Sequence, residues 1–484
     1  MQTTEPKPIA FECRFATHCE DKESGDDLHV IKEIIHYDDG TKKPNLRMKK
    51  NFKREFYLTK KGRRNFKDFK EWMKVDDLDR YECTQSKLVE SIAKALGTPY
   101  FRGSLKDLCE SPYIFGADIT STSIIKQTYR DKYPNTNTPY LVSAFDTETD
   151  VLHGTEEIII AGFTCKETVF VAVKNSFVKG YAEPERLVLQ ACEKYLGEHL
   201  KARNAKVRVV FVDEEIDTLR KVIKVIHETS PDFVGVWNIE FDMDKIVDAC
   251  KKASVSPADL LSDPSVPPQF RHFKFTKGPA KKEMASGRIL NFKPSQRWHA
   301  ISVPANHYWI DAMQAYRQVR MGSPERPSYS LESVLNDEIK MGKLKFKEAD
   351  HLPAASLDWH KYMQKNHPIE YIVYNIFDCM GMELLDEKTL DLQLSLPMFA
   401  GTTDFAKFNS LPKKSMNELH WFCRDQGMVP GSTAKEISTE EDLEVLGNNG
   451  WITMLPSHLI ADNGLKIIEE NPNIRTNIRI GVAD

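Results

Sequence analysis

A chain of 484 residues, 41% hydrophobic and 10% aromatic, carries material for about three domains and more than one packed core, which excludes a disordered or collagenous protein. Its 67 basic and 71 acidic side chains nearly cancel to a net charge of −4, so only the local distribution of charge speaks about partners. No run approaches the roughly 20 apolar residues of a bilayer crossing, and the start Met1-Gln2-Thr3-Thr4-Glu5-Pro6 lacks the basic and apolar regions of a signal peptide, so a soluble, intracellular protein with no membrane partner is expected.

Residues 1–138 read as a polar, mixed α+β N-terminal domain, with a strand over 29–36 and helices over 66–74 and 85–96. Between Thr41 and Lys74 there are fourteen Lys or Arg against three acids, interleaved with Phe52, Phe56, Tyr57, Phe66, Phe69 and Trp72. That mixture suits phosphate contact and base stacking, and equally a solvated basic face over a buried aromatic stripe. The turn-rich run 132–139, with Pro134, Asn135, Asn137 and Pro139, reads as a linker.

A second domain is expected over 139–395. Three strands in close succession, 140–146, 158–165 and 168–173, suit an antiparallel meander. A strand over 207–212, a helix over 213–228, a strand over 233–238 and a helix over 242–252 then alternate as in α/β folds. A second basic stretch from Arg271 to Arg297, opposed only by Glu283, reads on its own as a mobile loop. Beyond it come a strand over 308–311, a helix starting over 330–335, and a long helix opened by Pro368 and running towards Leu394. The remainder, 396–484, holds a helix over 415–426 and a strand-like run over 477–484. Nine cysteines without a C-x-x-C pair read as scattered thiols, neither a disulfide frame nor a zinc site.

Three acidic clusters carry the chemistry. Asp146 and Glu148 close an apolar strand and, two residues apart, share one face of it. Neighbouring carboxylates repel unless a cation lies between them, and hard oxygen ligands favour Mg²⁺ or Mn²⁺. An isolated D-x-E is more often a solvated strand end. Asp242, in Trp237-Asn238-Ile239-Glu240-Phe241-Asp242, stands where a strand passes into a helix, and N-capping alone would explain it. Tyr374 and Asp378, at i and i+4 of the long helix, address one site. Alone, that pair would more often be a core tyrosine beside a surface acid.

Together and in this order, Asp146-x-Glu148, Asn238-x-x-Phe241-Asp242 and Tyr374-x-x-x-Asp378 resemble the Exo I, Exo II and Exo III motifs of the proofreading exonuclease domain of family B DNA polymerases. The segments Ser328-Tyr329-Ser330-Leu331-Glu332-Ser333-Val334-Leu335 and Gly342-Lys343-Leu344-Lys345-Phe346 resemble the stretch before Exo III in phage members. Phe56-Tyr57-Leu58-Thr59-Lys60 and Phe66-Lys67-Asp68-Phe69-Lys70-Glu71-Trp72-Met73 are similar to their N-terminal domain. One departure is the two residues between Asn238 and Phe241, where many members have three.

The resemblance implies an RNase H-like α/β exonuclease domain of the tyrosine branch, removing mispaired 3′-terminal nucleotides with two Mg²⁺ or Mn²⁺ ions. Asp146 would bridge both ions, Glu148 and Asp378 would hold the one carrying the nucleophilic water, Asp242 would reach the other, and Tyr374 would orient the water. Asn238, Phe241, Ser330 and Leu331 would contact a single-stranded or frayed 3′ end of DNA. The palm motifs expected of a whole polymerase do not occur in the 484 residues. The chain is therefore expected to be the exonuclease half of a split, phage-type polymerase, working in an infected bacterial cytoplasm. A second polypeptide would supply palm, fingers and thumb, and a sliding clamp is a further candidate partner. On this view 396–484 is a return to the N-terminal domain and the start of an incomplete palm. Two rivals remain: a free-standing single-strand exonuclease, and a non-catalytic assembly subunit.

Overall fold

The computed structural model describes residues 6–432, apart from 68–69, 284–286, 343, 345 and 354. The strand expected over 477–484, most of 396–484, and Asp68, Phe69, Lys343 and Lys345 of the quoted segments lie outside the described residues.

Three long strands, β1 (Pro8–Glu20), β2 (Asp27–Tyr37) and β3 (Lys42–Lys50), form an antiparallel sheet with β2 in the middle. Five of the fourteen basic residues of the 41–74 run, Lys42, Lys43, Arg47, Lys49 and Lys50, fall on β3, a sheet edge that is mostly exposed. Leu46 and Met48 of the same strand pack against Cys19, Leu28 and Val30, so β3 is a charged strand with an apolar underside. A second sheet follows from β4 (Arg54–Thr59), β5 (Trp72–Lys74), β6 (Leu78–Cys83), α1 (Leu88–Leu96), α2 (Leu105–Leu108) and β7 (Ile114–Phe115). In it β4 lies between β6 and β7, and α1 buries Leu88, Ile92 and Ala93 against Phe56 and Leu58. None of the described residues of the helix expected over 66–74 is helical. Its last three residues are β5, pairing antiparallel with β18 (Met428–Pro430) from the far end of the described chain. That partner is distant in sequence, so local periodicity carried no sign of it. Next, α3 (Ser121–Lys132) starts at Thr120, whose side chain accepts from Ser123 N.

The central sheet has six strands in the order β11-β10-β9-β8-β12-β17. As the short loops suggest, β8 (Val142–Thr149), β9 (Ile158–Cys165) and β10 (Thr168–Lys174) form an antiparallel meander. After α4 (Pro184–Ala202), β11 (Lys206–Val212) joins β10 in parallel. The helix α4, opened by Pro184, was not anticipated from the sequence. Then α5 (Glu215–Thr229) leads to β12 (Phe233–Val236), which crosses to the other side of β8 and pairs with it in parallel. Such a crossover needs a covering helix. Beyond β12 lie α6 (Ile239–Lys252) and α7 (Pro257–Leu261). The basic stretch folds into short paired strands: β13 (Lys274–Thr276) pairs with β16 (Ala300–Ser302), and β14 (Lys281–Glu283) with β15 (Ile289–Asn291). The sheet is completed by β17 (Tyr308–Asp311), parallel to β12.

Helices cover both faces of this sheet. One side buries Phe145, Ala161, Phe163 and Ala172 under α5 and α6; the other buries Ile160, Val171 and Val173 under α4, α10 (Leu357–Asn366) and α11 (Pro368–Thr389). A third cluster gathers α8 (Ala312–Val319), α9 (Leu331–Ile339) and α12 (Leu396–Ala400) around Phe233 and Phe405. Finally α13 (Leu411–Asp425) and β18 return the chain to β5 and β7: Ser432 N donates to Ile114 O, and Ala117 N to Ser432 Oγ. All nine cysteines are free thiols, eight of them buried. No described helix is long and apolar enough to cross a membrane.

Candidate active site

Strand alternation brings Asp146 and Glu148 to the face of β8 covered by α11. That helix presents residues 371, 374, 375 and 378 to the strand, a 3-1-3 spacing on one helical stripe. Carboxylate oxygens of Asp146, Glu148 and Asp378 all lie within 4.8 Å of one another. Glu148 and Asp378 are 9% and 5% exposed, so the repulsion among these groups is weakly screened by water. An all-oxygen set of three carboxylates at that spacing fits a hard divalent cation, Mg²⁺ or Mn²⁺.

Asp242 belongs to the next layer of this arrangement and lies outside that group of three. Its Oδ1 accepts from Thr147 N at 3.0 Å and from Thr147 Oγ1 at 2.6 Å. Thr147 sits between Asp146 and Glu148 and points to the opposite face, so α6 reaches the same strand segment from the other side. Burial pushes the Asp242 carboxyl up to about 7, against the two Thr147 hydrogen bonds. Capping does not account for it: Asn238 holds the N-cap position of α6, and Asp242 is in the first turn. Asn238 is exposed and makes no side-chain cap. Asp311, beside Val236 in the parallel register, is buried and caps α8, accepting from Gln314 N at 2.9 Å.

Phe241 is 43% exposed, with Lys245 Nζ 5.6 Å from its ring centroid. Ser330 caps α9 by accepting from Ser333 N at 3.3 Å. Leu331 is 6% exposed and packs with Val334 and Leu335 in the core. Tyr374 is buried between Trp359, 4.9 Å away by ring centroids, and Tyr371, stacked at 5.9 Å and 13°. Burial, then Asp378 and Glu148, hold its phenol well above the ordinary value, so it stays protonated at neutral pH.

Sequence reasoning missed the residues that hold the acids. Asn375 Nδ2 donates to Asp146 Oδ2 at 2.8 Å, Tyr371 Oη to Glu148 Oε2 at 2.5 Å, and Thr147 holds Asp242. The signal available was spacing, since Tyr371 lies three residues before Tyr374 on the same stripe of α11.

The mixed six-stranded sheet flanked by helices is consistent with an exonuclease domain. No curated protein matches the chain. Residues 113–290 match the family model described as DNA polymerase family B, exonuclease domain, a span that includes Asp146, Glu148 and Asp242 and ends before Tyr374 and Asp378.

Proposed function

We propose that the protein is a 3′→5′ exodeoxyribonuclease that removes mispaired 3′-terminal nucleotides by metal-assisted phosphodiester hydrolysis. The observation that carries this reading is the gathering of Asp146, Glu148 and Asp378 within 4.8 Å beside a strand that belongs to the matched exonuclease span. Asp146, Glu148 and Asp378 would hold one divalent cation, and Asp242 would face a second. When bound, such a pair supplies an activated water and charge stabilisation for the attacking and leaving oxygens of an in-line displacement.

The chain's own groups then have separate tasks. Tyr374, kept protonated by burial, would orient the attacking water by hydrogen bonding. Thr147 would keep the Asp242 carboxylate aimed at the strand end, through its backbone and hydroxyl bonds to Oδ1. Phe241, exposed at the first turn of α6, offers a face on which a terminal base would stack, and Asn238 offers a polar contact to its backbone. Ser330 would act near the same end of the strand, with Leu331 supporting it from the core.

The finer part of this proposal places the chain in the tyrosine branch of an RNase H-like fold and makes it the proofreading part of a split, phage-type family B polymerase. A second polypeptide would carry palm, fingers and thumb. The similarity of segments in the N-terminal region and before Exo III supports that placement. Native mass spectrometry of the complex isolated from its source is expected to recover a second chain bearing palm motifs, and a fully active monomer would count against the split.

The nuclease reading is tested by incubating a 5′-labelled single strand with and without Mg²⁺, alongside Asp146→Ala/Glu148→Ala. Stepwise shortening from the 3′ end that needs Mg²⁺ and vanishes in the double variant, with DNA binding retained, is the expected result. Undiminished shortening by the double variant would sink it.

A further inference from the structure

The Glu148 carboxylate is not left to its own rotamers. Tyr371 Oη donates to Glu148 Oε2 at 2.5 Å. A phenol has one proton to give, so its other neighbours must donate to its oxygen. Gln364 Nε2 does so at 3.3 Å and His360 Nδ1 at 2.7 Å, which fixes the His360 proton on Nδ1. Gln364 is itself anchored: Nε2 also donates to Thr149 O at 2.8 Å, and Oε1 accepts from Val151 N and Leu152 N at 3.2 and 3.0 Å. One turn of α10 therefore clamps the loop after β8 and orients a tyrosine on α11, which in turn orients a carboxylate on β8.

We propose that Tyr371 is a positioning residue for the reaction: its hydroxyl fixes the Glu148 carboxylate in place beside Asp146 and Asp378. The assignment rests on the nuclease reading given above. A free glutamate must give up side-chain rotation when it takes a ligand, and a carboxylate already held has less to lose. Partners in this supporting role commonly change metal affinity or activity by about 10–100-fold when removed. Tyr371 is buried and stacked on Tyr374, so Tyr371→Phe keeps the packing and deletes only the hydroxyl.

The experiment uses the full chain. Mn²⁺ binding is followed by electron paramagnetic resonance, and degradation of a labelled single strand is measured across a Mn²⁺ series. Tyr371→Phe is expected to weaken Mn²⁺ binding and lower kcat, each by about 10-fold, with the KM for DNA unchanged. Binding and kcat both within about 2-fold of the parent would overturn the proposal and leave Tyr371 as packing. A parent that binds Mn²⁺ but leaves DNA intact would sink the nuclease reading alone, since the Mn²⁺ titration still judges Tyr371. A parent that binds no Mn²⁺ would overturn both. Should Tyr371→Phe fail to fold, His360→Leu, at a half-buried position, removes a donor to the same hydroxyl and is expected to shift both quantities in the same direction. No shift in that variant would count against the proposal.

Discussion

Asn375 reaches Asp146 through a gap that only a glycine leaves open. Asp146 on β8 is paired with Gly162 on β9, and a methyl group at Gly162 would lie 2.1 Å from Asn375 Oδ1. Asn375 Nδ2 meanwhile donates to Asp146 Oδ2 at 2.8 Å and to its backbone oxygen at 3.3 Å. The glycine is thus required by close approach.

Gly162→Ala should consequently mimic Asn375→Ala. Each is expected to lower the single-turnover rate of strand degradation by about 10–100-fold, because each releases the Asp146 carboxylate. The double variant should be no slower than the slower single one, since both changes break one interaction. Additive losses would show that Gly162 acts elsewhere.

Phe241 makes a prediction of the other kind, about binding. An apolar ring 43% exposed at the end of a helix otherwise buried along its inner face is poised for stacking, which is worth about 1–3 kcal/mol per base. Phe241→Ala is expected to raise the KM for a single strand by about 5-fold or more and to leave kcat nearly unchanged. Phe241→Trp should restore it.

The individual strands of the central sheet were readable because each apolar run is local and bounded by turn residues, from 158–165 through 308–311, whereas α4 and the crossing of β12 to the far side of β8 were not. The carboxylate pair and the tyrosine–aspartate pair were readable for the same reason, as spacing of two on a strand and four on a helix. What failed was non-local. A helical pattern over 66–74 yielded to pairing of Trp72–Lys74 with Met428–Pro430, more than three hundred residues away. The apparent helix cap at Asp242 proved to be an acceptor for Thr147, a contact across 95 positions. Asn375, Tyr371 and Gly162 carry no charge signal, and only the folded approach of α11 to β8 and β9 reveals their use.

How the N-terminal sheet is held to the central one gives a stability prediction. Arg14 on β1 bonds Glu12 Oε1 at 2.7 Å, Thr138 O at 2.8 Å and Thr138 Oγ1 at 2.7 Å, lies 3.3 Å from Asp232 Oδ2, and covers the Tyr140 ring at 4.3 Å. Arg14, Glu12 and Asp232 are all buried. Arg14→Met would take the guanidinium away from two buried carboxylates, at a cost of about 3–5 kcal/mol. Urea unfolding should register it as a lower midpoint. Arg14→Lys keeps the charge but loses the planar fork, and is expected to fall between the two.

The pH dependence of stability follows from His420 on α13. Burial, then Arg424, Arg54 and Lys413, push its imidazole down to about 3, whereas in an unfolded chain it titrates near ~6.5. Between those values the unfolded chain binds a proton that the fold refuses, so stability falls as pH drops through that window, by at most about 1.4 kcal/mol per pH unit. Above it the imidazole is neutral in both states and contributes no slope. His29, likewise held down to about 3 by burial, adds to the same trend. His420→Gln removes one such group without adding charge. Its melting temperature, whatever its value at pH 7, should decline by about 2–4 °C less than the parent's between pH 7 and pH 5. Parallel declines in the two proteins would mean that the imidazole already takes up its proton in the folded state.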